Sequence, residues 1–366
     1  MQPARLMSRP EDYERLGIKK GVVEPWEDGM RDNFEAGHFE WWYFDCILED
    51  GTKVTASFST KIAYAVFMEG NHPALVFNVN TPDGRMITEA FMEYQPNEIS
   101  YSKTGCDVHY GPHSISGDLN EYRIKAEPVR GNGFDLTLKK EASSWRGDAG
   151  YIGMGENDER YFTWLCSVPK GSVEGTLIID GKTVEVKGQG YHDHQWGNIF
   201  HSEFLNHWFW ARQNTENYTV LVFDFVLNKE YGYTRIPLAF IQDKDGKVLF
   251  ENTKDVFCDV KEEYFMEAAN TNFPKVTHYV FENNGKKLDY TFTVKEELEG
   301  KDSYAQFPEP MKQLSDKFDA HPKYGRYLAE GDFTLYDGDQ VIHDKGDLIY
   351  EFSYIGHTYK EHMDTK

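Results

Sequence analysis

Residues 38–61 read HFEWWYFDCILEDGTKVTASFSTK, and this stretch carries the main signals for the fold. Two runs rich in aromatic and β-branched residues, His38–Leu48 and Lys53–Lys61, flank the turn sequence Glu49-Asp50-Gly51. Runs of this composition are typical of β-strands, and an Asp-Gly pair between them indicates a hairpin. The stretch therefore predicts two antiparallel strands joined by a tight turn.

The same pattern continues along most of the chain. Apolar runs such as Tyr218–Leu227 alternate at short intervals with turn signals: Pro82-Asp83-Gly84, Asp180-Gly181, Asp243–Gly246, Asn283–Gly285 and Asp337-Gly338. Many short, evenly spaced strands favour an antiparallel sandwich or barrel over a βαβ fold. Helix is predicted at Glu309–Phe318, and a second, shorter helix is considered at Tyr324–Ala329. The sequence therefore predicts an all-β protein with little helix.

The opening stretch has an echo, meaning a second stretch with a similar residue pattern, about half a chain later. His207–Asn217 reads HWFWARQNTEN and leads through a turn into an apolar run, as the first stretch does. Two copies of one β domain would produce this echo. We therefore predict three segments: an N-terminal arm at residues 1–35 with little regular structure, one domain at 36–190 and a second at 191–366.

Composition excludes several classes of protein. The 366 residues include 39 Lys and Arg against 61 Asp and Glu, so the formal net charge is −22. A nucleic-acid binder needs basic surface to neutralise phosphates, and this chain is strongly acidic. Disordered chains are poor in aromatic residues, whereas Phe, Tyr and Trp make up 15% of this sequence. We expect a folded protein with no nucleic-acid partner.

The location of the protein is predicted from what the sequence lacks. The N-terminal residues form no apolar run typical of a secretory signal, and no run of about 18 apolar residues could span a bilayer. The four cysteines, Cys46, Cys106, Cys166 and Cys258, form no CxxC pair, which favours reduced, buried thiols over disulfides. We expect a cytoplasmic protein without stable membrane insertion.

Tryptophans cluster in three places: Trp41 and Trp42, Trp196, and Trp208 and Trp210. Because side chains alternate along a strand, Glu40 should share a face with Trp42, and Arg212 with Trp208 and Trp210. These rings either fill a barrel interior or wall a pocket for an apolar ligand. Aromatic faces would also stabilise a cation formed during chemistry.

A dense polar patch lies beside Trp196. Gly188–Asn198 reads GQGYHDHQWGN, so His192 and His194 should point the same way from a strand. Three interpretations stay open: a His-x-His metal site, structural histidines bonded to neighbouring backbone, or proton-transfer groups in a pocket. The third is preferred for His194.

Asp224 lies in the apolar run TVLVFDFV at residues 219–226. A buried carboxylate is costly unless it is paired or protonated. Desolvation would make Asp224 a general acid, and the other hypothesis is an ion pair with Arg212 across the preceding hairpin. The sequence has no GxSxG, Walker A or HExxH motif, and GYIGMG at Gly150–Gly155 lacks the GxGxxG pattern. We therefore expect no cofactor and assign no metal ligand.

Three motifs resemble one family. Glu40–Phe44 (EWWYF), Gly190–Gly197 (GYHDHQWG) and Trp208–Arg212 (WFWAR) are similar to the signatures of the AttH/CrtC-like lipocalin group. That group includes carotenoid 1,2-hydratase, kievitone hydratase-like proteins and fungal Diels–Alderases. The resemblance implies two consecutive lipocalin-like antiparallel β-barrel domains. It also implies catalytic roles for His194, Trp196 and Asp224; the hydratase pattern has a Tyr where this chain has Val222.

The resulting hypothesis is a cofactor-independent hydratase, dehydratase or isomerase. Protonated Asp224 would protonate a C=C bond of an apolar isoprenoid-like or polyketide-like molecule, with Trp196 stabilising the cation and His194 completing the reaction. The predicted substrate-binding residues are Glu40, Trp42, Tyr43, Tyr191, His192, Trp208, Trp210 and Arg212. Three alternatives remain: a pericyclase or cyclase acting on a polyene, a non-catalytic carrier of hydrophobic ligands, and a metal enzyme at His192 and His194.

Overall fold

The protein folds almost entirely into antiparallel strands. A computed structural model describes residues 1–356, of which most lie in strands: the chain is 60% strand and 10% helix. The strands form two curled half-barrel sheets, one after the other along the chain. The predicted all-β class with little helix is therefore confirmed.

The first sheet, as far as the structure describes the chain, has 13 strands. In chain order they are β1 (Ala4–Leu6), β2 (Phe39–Leu48), β3 (Lys53–Ser59), β4 (Ala74–Asn80), β5 (Met86–Phe91), β6 (Ile99–Tyr101), β7 (Cys106–Tyr110), β8 (His113–Gly117), β9 (Glu121–Val129), β10 (Asn132–Lys140), β11 (Tyr151–Met154), β12 (Arg160–Ile179) and β13 (Lys182–Gly197). Eleven of them are hydrogen-bonded in the order β5-β4-β3-β2-β13-β12-β10-β9-β8-β7-β6.

The second sheet has nine strands in the described part of the chain. They are β14 (Leu205–Asn214), β15 (Tyr218–Leu227), β16 (Arg235–Asp243), β17 (Val248–Asn252), β18 (Val256–Met266), β19 (Thr271–Asn283), β20 (Lys286–Asp302), β21 (Lys323–Asp337) and β22 (Gln340–Tyr354). Their order is β17-β16-β15-β14-β22-β21-β20-β19-β18.

The echo in the sequence corresponds to equivalent places in the two sheets. In the first sheet β2 lies between its hairpin partner β3 and the long strand β13, and in the second β14 lies between β15 and β22. The strand orders β5-β4-β3-β2-β13 and β17-β16-β15-β14-β22 therefore match. Each aromatic signature strand occupies the same position in its own sheet.

Two of the predicted turns are two-residue loops, and each of them joins a pair of long antiparallel strands. Asp180 and Gly181 connect β12 to β13 with φ of 50° and 77°, and Asn284 and Gly285 connect β19 to β20 with φ of 51° and 76°. Positive φ at both positions is the geometry of a type I′ turn, whose twist matches that of the flanking strands. Asp, Asn and Gly adopt this region most readily, which explains why these dipeptides are reliable signals.

Among residues 1–356, four α-helices connect or flank the strands: α1 (Pro10–Leu16), α2 (His201–Phe204), α3 (Ser303–Gln306) and α4 (Glu309–Lys317). Helix α4 confirms the predicted helix. The second helix, considered at Tyr324–Ala329, is wrong because these residues lie inside β21. Alternate side chains there, Tyr327 and Ala329, are buried in the core, and the strand is paired on both sides. No helix within residues 1–356 is long and apolar enough to cross a bilayer.

The N-terminal arm has more structure than predicted. Helix α1 begins with Pro10 at its first position and ends at Gly17 in the left-handed conformation, both common helix boundary signals. A 3-10 turn follows at Pro25–Asp28. The missed helix is only seven residues long, too short to show a clear apolar period.

The chain divides into two compact units. The first unit comprises Met7–Ile152 and Arg160–Phe200, and the second comprises Met1–Leu6, Gly153–Glu159 and, among the residues that the structure describes, 201–356. Strand β13 continues through residue 190, where the sequence placed a boundary, and stays paired with β2 and β12 as far as Gly197. Each unit has its own apolar core on the inner face of its sheet. All four cysteines are buried, and within residues 1–356 none of them forms a disulfide bond.

Candidate functional site

The first signature strand β2 and the polar strand β13 pair antiparallel, and their register determines which side chains meet. His194 lies opposite Trp42, and Trp196 lies opposite Glu40. Because side chains alternate along a strand, His192 shares this face with them. It is the inner face, where Trp42 packs into the core of the first unit. The structure therefore brings together five residues that the sequence singled out.

The imidazole of His194 lies between two indole rings. Its centroid is 4.7 Å from that of Trp42, at an interplanar angle of 15°, and 4.5 Å from that of Trp196. Its Nε2 lies 2.6 Å from Oε1 of Glu40, and both side chains are fully buried. The negative faces of the indoles and the carboxyl group all favour a protonated imidazole. The His194–Glu40 pair is therefore suited to hold a proton inside the unit.

Glu40 also binds the N-terminal arm. Its carboxyl oxygens accept the backbone N–H of Arg31 at 2.8 and 3.0 Å and that of Asp32 at 2.7 Å. The Thr60 hydroxyl donates to Asp32 at 2.7 Å and accepts from the backbone N–H of Glu40 at 3.1 Å. This network attaches the arm to β2 directly beside His194.

The arm supplies an acid that sequence analysis did not single out. Oδ2 of Asp28 lies 3.2 Å from Nε2 of His192, and its Oδ1 lies 3.4 Å from Nδ1 of His194. The backbone oxygen of Asp28 accepts from Trp42 Nε1 at 2.9 Å. Two imidazoles therefore converge on one buried carboxylate. Pro25 and the acids after it signal a turn, but no local pattern shows that this turn reaches the inner face of the sheet.

The three groups perturb one another's protonation. Burial would raise the pKa of Asp28, but the adjacent His192 and His194 hold that pKa well below its usual range. Burial raises the pKa of Glu40, although the hydrogen bond with His194 acts in the opposite direction. Burial alone would lower the pKa of His194, whereas Asp28 and Glu40 raise it above its ordinary value. The cluster therefore keeps Asp28 ionised and retains a proton on the His194–Glu40 pair.

Tyr43 and Tyr191, two predicted pocket residues, lie on the other face of the same strands. The Tyr191 hydroxyl donates to Asp193 at 2.7 Å, and the Tyr43 hydroxyl donates to Asp45 at 3.2 Å. Neither side chain therefore shares the face that carries His194.

The remaining predicted residues belong to the second unit. Trp208, Trp210 and Arg212 alternate with Phe209 and Ala211, which pack into the core, so they lie on the opposite face of β14. The guanidinium of Arg212 lies 5.6 Å from the centroid of the Trp210 ring.

Asp224 forms a buried ion pair, as one hypothesis predicted, but with a different partner. Nε of Arg235 lies 3.0 Å from both carboxylate oxygens, and its Nη2 lies 2.5 Å from Oδ2. The Tyr279 hydroxyl donates to the same carboxylate at 2.8 Å. Arg212 was the wrong partner because it pairs in register with Leu221, whose side chain lies on the opposite face from Asp224.

The donor atoms of Asp28, Cys106 and His192 all lie within 4.8 Å of one another, and all three residues are buried. Within residues 1–356 these are the His, Cys and acidic side chains that are grouped closely enough to hold a metal ion.

The fold and the site describe a class of protein: an antiparallel half-barrel whose interior combines aromatic rings with a few buried titratable groups. The comparison with known families agrees. A family model described as AttH-like matches residues 22–299, and the chain belongs to this family.

Two relatives share part of the sequence. The ceramide-binding protein svf1 of Schizosaccharomyces pombe is 22% identical over 296 residues, which cover 76% of this chain and 75% of that protein. The hydroxyneurosporene dehydrogenase of Chlorobaculum tepidum is 29% identical over 98 residues, a quarter of each chain.

Three solved structures share the fold. An AttH-type protein from Nitrosomonas europaea has a TM-score of 0.63 and 16% identity, covering 91% of this chain and 97% of its own. CghA, solved with Sch210972, has a TM-score of 0.60 and 14% identity, covering 92% and 96%. Kievitone hydratase from Nectria haematococca has a TM-score of 0.55 and 14% identity, covering 92% and 94%. The AttH-like fold therefore occurs in a hydratase and in a protein solved with a small molecule.

Proposed function

We propose that the protein is a hydratase, dehydratase or isomerase that acts on a C=C bond of an apolar isoprenoid-like or polyketide-like molecule. The observation that supports this most is His194, bonded to Glu40 at 2.6 Å and enclosed by Trp42 and Trp196. A proton-transfer group in an aromatic, water-poor interior is what acid catalysis on an alkene requires. The hydratase among the structural neighbours supports the same proposal.

The reaction begins with the proton of the His194–Glu40 pair. The π electrons of the alkene take up this proton and form a C–H bond, which leaves the adjacent carbon electron-deficient. In hydration a water oxygen adds to that carbon and returns its surplus proton to the pair. In isomerisation the neighbouring carbon loses a proton to the pair instead. Both routes restore the starting protonation of His194 and Glu40.

His194 is fully buried, and Asp28 of the arm lies against the imidazoles of both His192 and His194. A substrate therefore reaches His194 through a local opening of the first unit, and closure of that opening excludes water.

This proposal assigns proton transfer to His194 and Glu40, not to Asp224. Arg235 and Tyr279 both donate hydrogen bonds to the carboxylate of Asp224, so its oxygens are already engaged inside the second unit. We assign Asp224 to the stability of the second unit.

The test begins with the extraction and identification of any hydrophobic ligand that copurifies with the protein. Turnover of that compound and of related polyenes is then compared between the native protein, His194→Gln and Glu40→Gln. His343→Gln is the matched control, because His343 forms an exposed pair with Asp332 at 2.9 Å. We expect loss of turnover of at least a hundredfold in the two site variants. Full turnover in His194→Gln contradicts the proposal.

A second candidate function is binding without conversion. The ion pair of Asp224 favours this function, because it engages the carboxylate that the sequence predicted to be the catalytic acid. The ceramide-binding relative favours it as well. Native mass spectrometry of freshly purified protein distinguishes the two functions. A stoichiometric lipid that remains unchanged on prolonged incubation supports the carrier, whereas a converted ligand supports the enzyme.

A further inference from the structure

We propose that Asp28, Cys106 and His192 form a binding site for a divalent transition-metal ion of the zinc type. The three residues come from the arm, from the start of β7 and from β13, and they meet inside the first unit. This inference does not depend on the proposed function, because it rests on different donor atoms and is tested without substrate.

The donor set matches the chemistry of such ions. Carboxylate oxygen, thiolate sulfur and imidazole nitrogen are all ligands of Zn²⁺, and mixed sets that contain sulfur favour zinc over Mg²⁺ or Ca²⁺. A doubly charged cation would also neutralise one carboxylate and one thiolate. Such a neutral set is suited to a site whose members are all buried.

The orientation of His192 indicates which nitrogen would bind. Its Nδ1 lies 2.7 Å from the backbone oxygen of Tyr43, which accepts only, so Nδ1 carries the hydrogen. Nε2 is therefore the nitrogen that is turned toward Asp28. A bond from the far ring nitrogen to a backbone carbonyl is the usual outer-sphere support of a histidine ligand.

The spacing of the nitrogen and oxygen agrees with shared coordination. Nε2 of His192 lies 3.2 Å from Oδ2 of Asp28. Two bonds of about 2.0–2.1 Å at a tetrahedral angle separate their ligand atoms by about 3.3 Å. A lone pair on Nε2 and a carboxylate oxygen repel each other at this distance unless a positive centre, a metal ion or a proton, lies between them.

Further contacts of Asp28 and Cys106 suit the site. The Tyr122 hydroxyl donates to Oδ2 of Asp28, as outer-sphere groups do to ligating carboxylates. Oδ1 of Asp28 is buried, and its contact with Nδ1 of His194, at 3.4 Å, is too long or too poorly aligned for a good hydrogen bond. The thiol of Cys106 makes one long contact, 3.8 Å to the backbone oxygen of Ile115, which a side-chain rotation toward the metal would replace.

The experiment measures metal directly. The full chain is stripped with a chelator, reloaded with Zn²⁺ or Co²⁺, desalted and analysed for bound metal. We expect one equivalent, and with Co²⁺ an absorption band that reports a thiolate ligand. Cys106→Ser should remove the band and weaken binding at least tenfold. Cys46→Ser, which alters another buried cysteine of the same core, should retain both.

A second variant distinguishes the loss of a metal ligand from misfolding of the chain. His192→Gln removes a different ligand, and its circular dichroism and unfolding midpoint are compared with those of the native chain. A folded His192→Gln that binds Co²⁺ as tightly as the native chain contradicts the site. So does a native chain that binds less than one-tenth of an equivalent after reloading, since a proton alone then lies between His192 and Asp28. Either result leaves the His194–Glu40 proposal untouched.

Discussion

Nε2 of His194 lies 2.6 Å from Oε1 of Glu40, and neither side chain is exposed to solvent. The same carboxyl group accepts three hydrogen bonds from the backbone of the arm. Glu40 therefore links the imidazole in the barrel interior to the segment that covers it. The Glu40 side chain therefore takes part both in the proposed chemistry at His194 and in the docking of the arm. The first prediction concerns its removal.

Glu40→Gln should destabilise the first unit. The amide presents hydrogens where backbone N–H groups now donate, so at least one buried donor loses its acceptor, at a cost of about 2 kcal/mol. Urea unfolding measures the change. Glu282→Gln, an exposed glutamate on β19, is the matched control and should lie within about 0.5 kcal/mol of the native chain. Equal stability of the two variants would show that Glu40 does not hold the arm.

Asp224→Asn should destabilise the second unit by about 3–5 kcal/mol, because it leaves the guanidinium of Arg235 buried without its charge partner. Asp347→Asn removes a partner from an exposed pair with Lys295 and should cost less than about 1 kcal/mol. Thermal or urea unfolding compares them. If Asp224→Asn abolishes turnover at unchanged stability, Asp224 is the catalytic acid and our assignment of proton transfer is wrong.

His113 should make the protein sensitive to acid. Burial lowers the pKa of His113 to about 4, and its Nδ1 accepts from the backbone N–H of Glu127 at 3.1 Å. The unfolded chain, with an ordinary pKa near 6.5, binds this proton first. The contribution of His113 to stability is therefore complete above pH 6.5 and lost as the pH falls toward 4, a loss of about 3 kcal/mol.

Unfolding free energies of the native chain and His113→Gln between pH 7 and pH 4 measure this loss. The decline over that range should be smaller in His113→Gln, by up to about 3 kcal/mol. His109→Gln, a more exposed histidine on β7, is the control and should decline as the native chain does. Parallel curves for all three proteins would rule out His113 as a source of acid sensitivity.

Gly29→Ala should loosen the arm. Gly29 has φ of −81°, which alanine adopts freely, but an added Cβ would lie 2.7 Å from the carbonyl carbon of Lys103. The arm must shift to relieve this contact. Hydrogen exchange at the amides of Arg31 and Asp32 should accelerate about tenfold or more, since Glu40 accepts both. At Gly105, the control, an added Cβ meets nothing closer than 3.7 Å, so Gly105→Ala should leave these rates unchanged.

Local signals predicted much of the fold. The dipeptides Asp180-Gly181 and Asn284-Gly285 predicted hairpins because their conformational freedom is a property of those residues alone. The alternation of side chains along a strand predicted that Glu40 and Trp42 share a face, and this alternation is also a local property of the chain. At Tyr324–Ala329 local propensity misled, because pairing with two neighbouring strands decides the conformation there.

The site depended on distant contacts that no local pattern encodes. Asp28 is 164 residues from His192 in sequence, and only the folded arm brings them together. Arg235 is 11 residues from Asp224, but the register between β15 and β16 decides that it points to the same face. The sequence could show that Asp224 needs a partner, whereas the choice between Arg212 and Arg235 required the sheet.

The central claim, that the His194–Glu40 pair transfers a proton to carbon, is tested most directly by turnover in D₂O. The product of the identified ligand is analysed by mass spectrometry for deuterium bound to carbon. We predict one deuterium at the protonated carbon of a hydrated or isomerised product with the native chain and with His343→Gln, and no product with His194→Gln; a dehydratase is tested in its reverse, hydrating direction. A cyclised product without deuterium, or labelled product from His194→Gln, would contradict the claim.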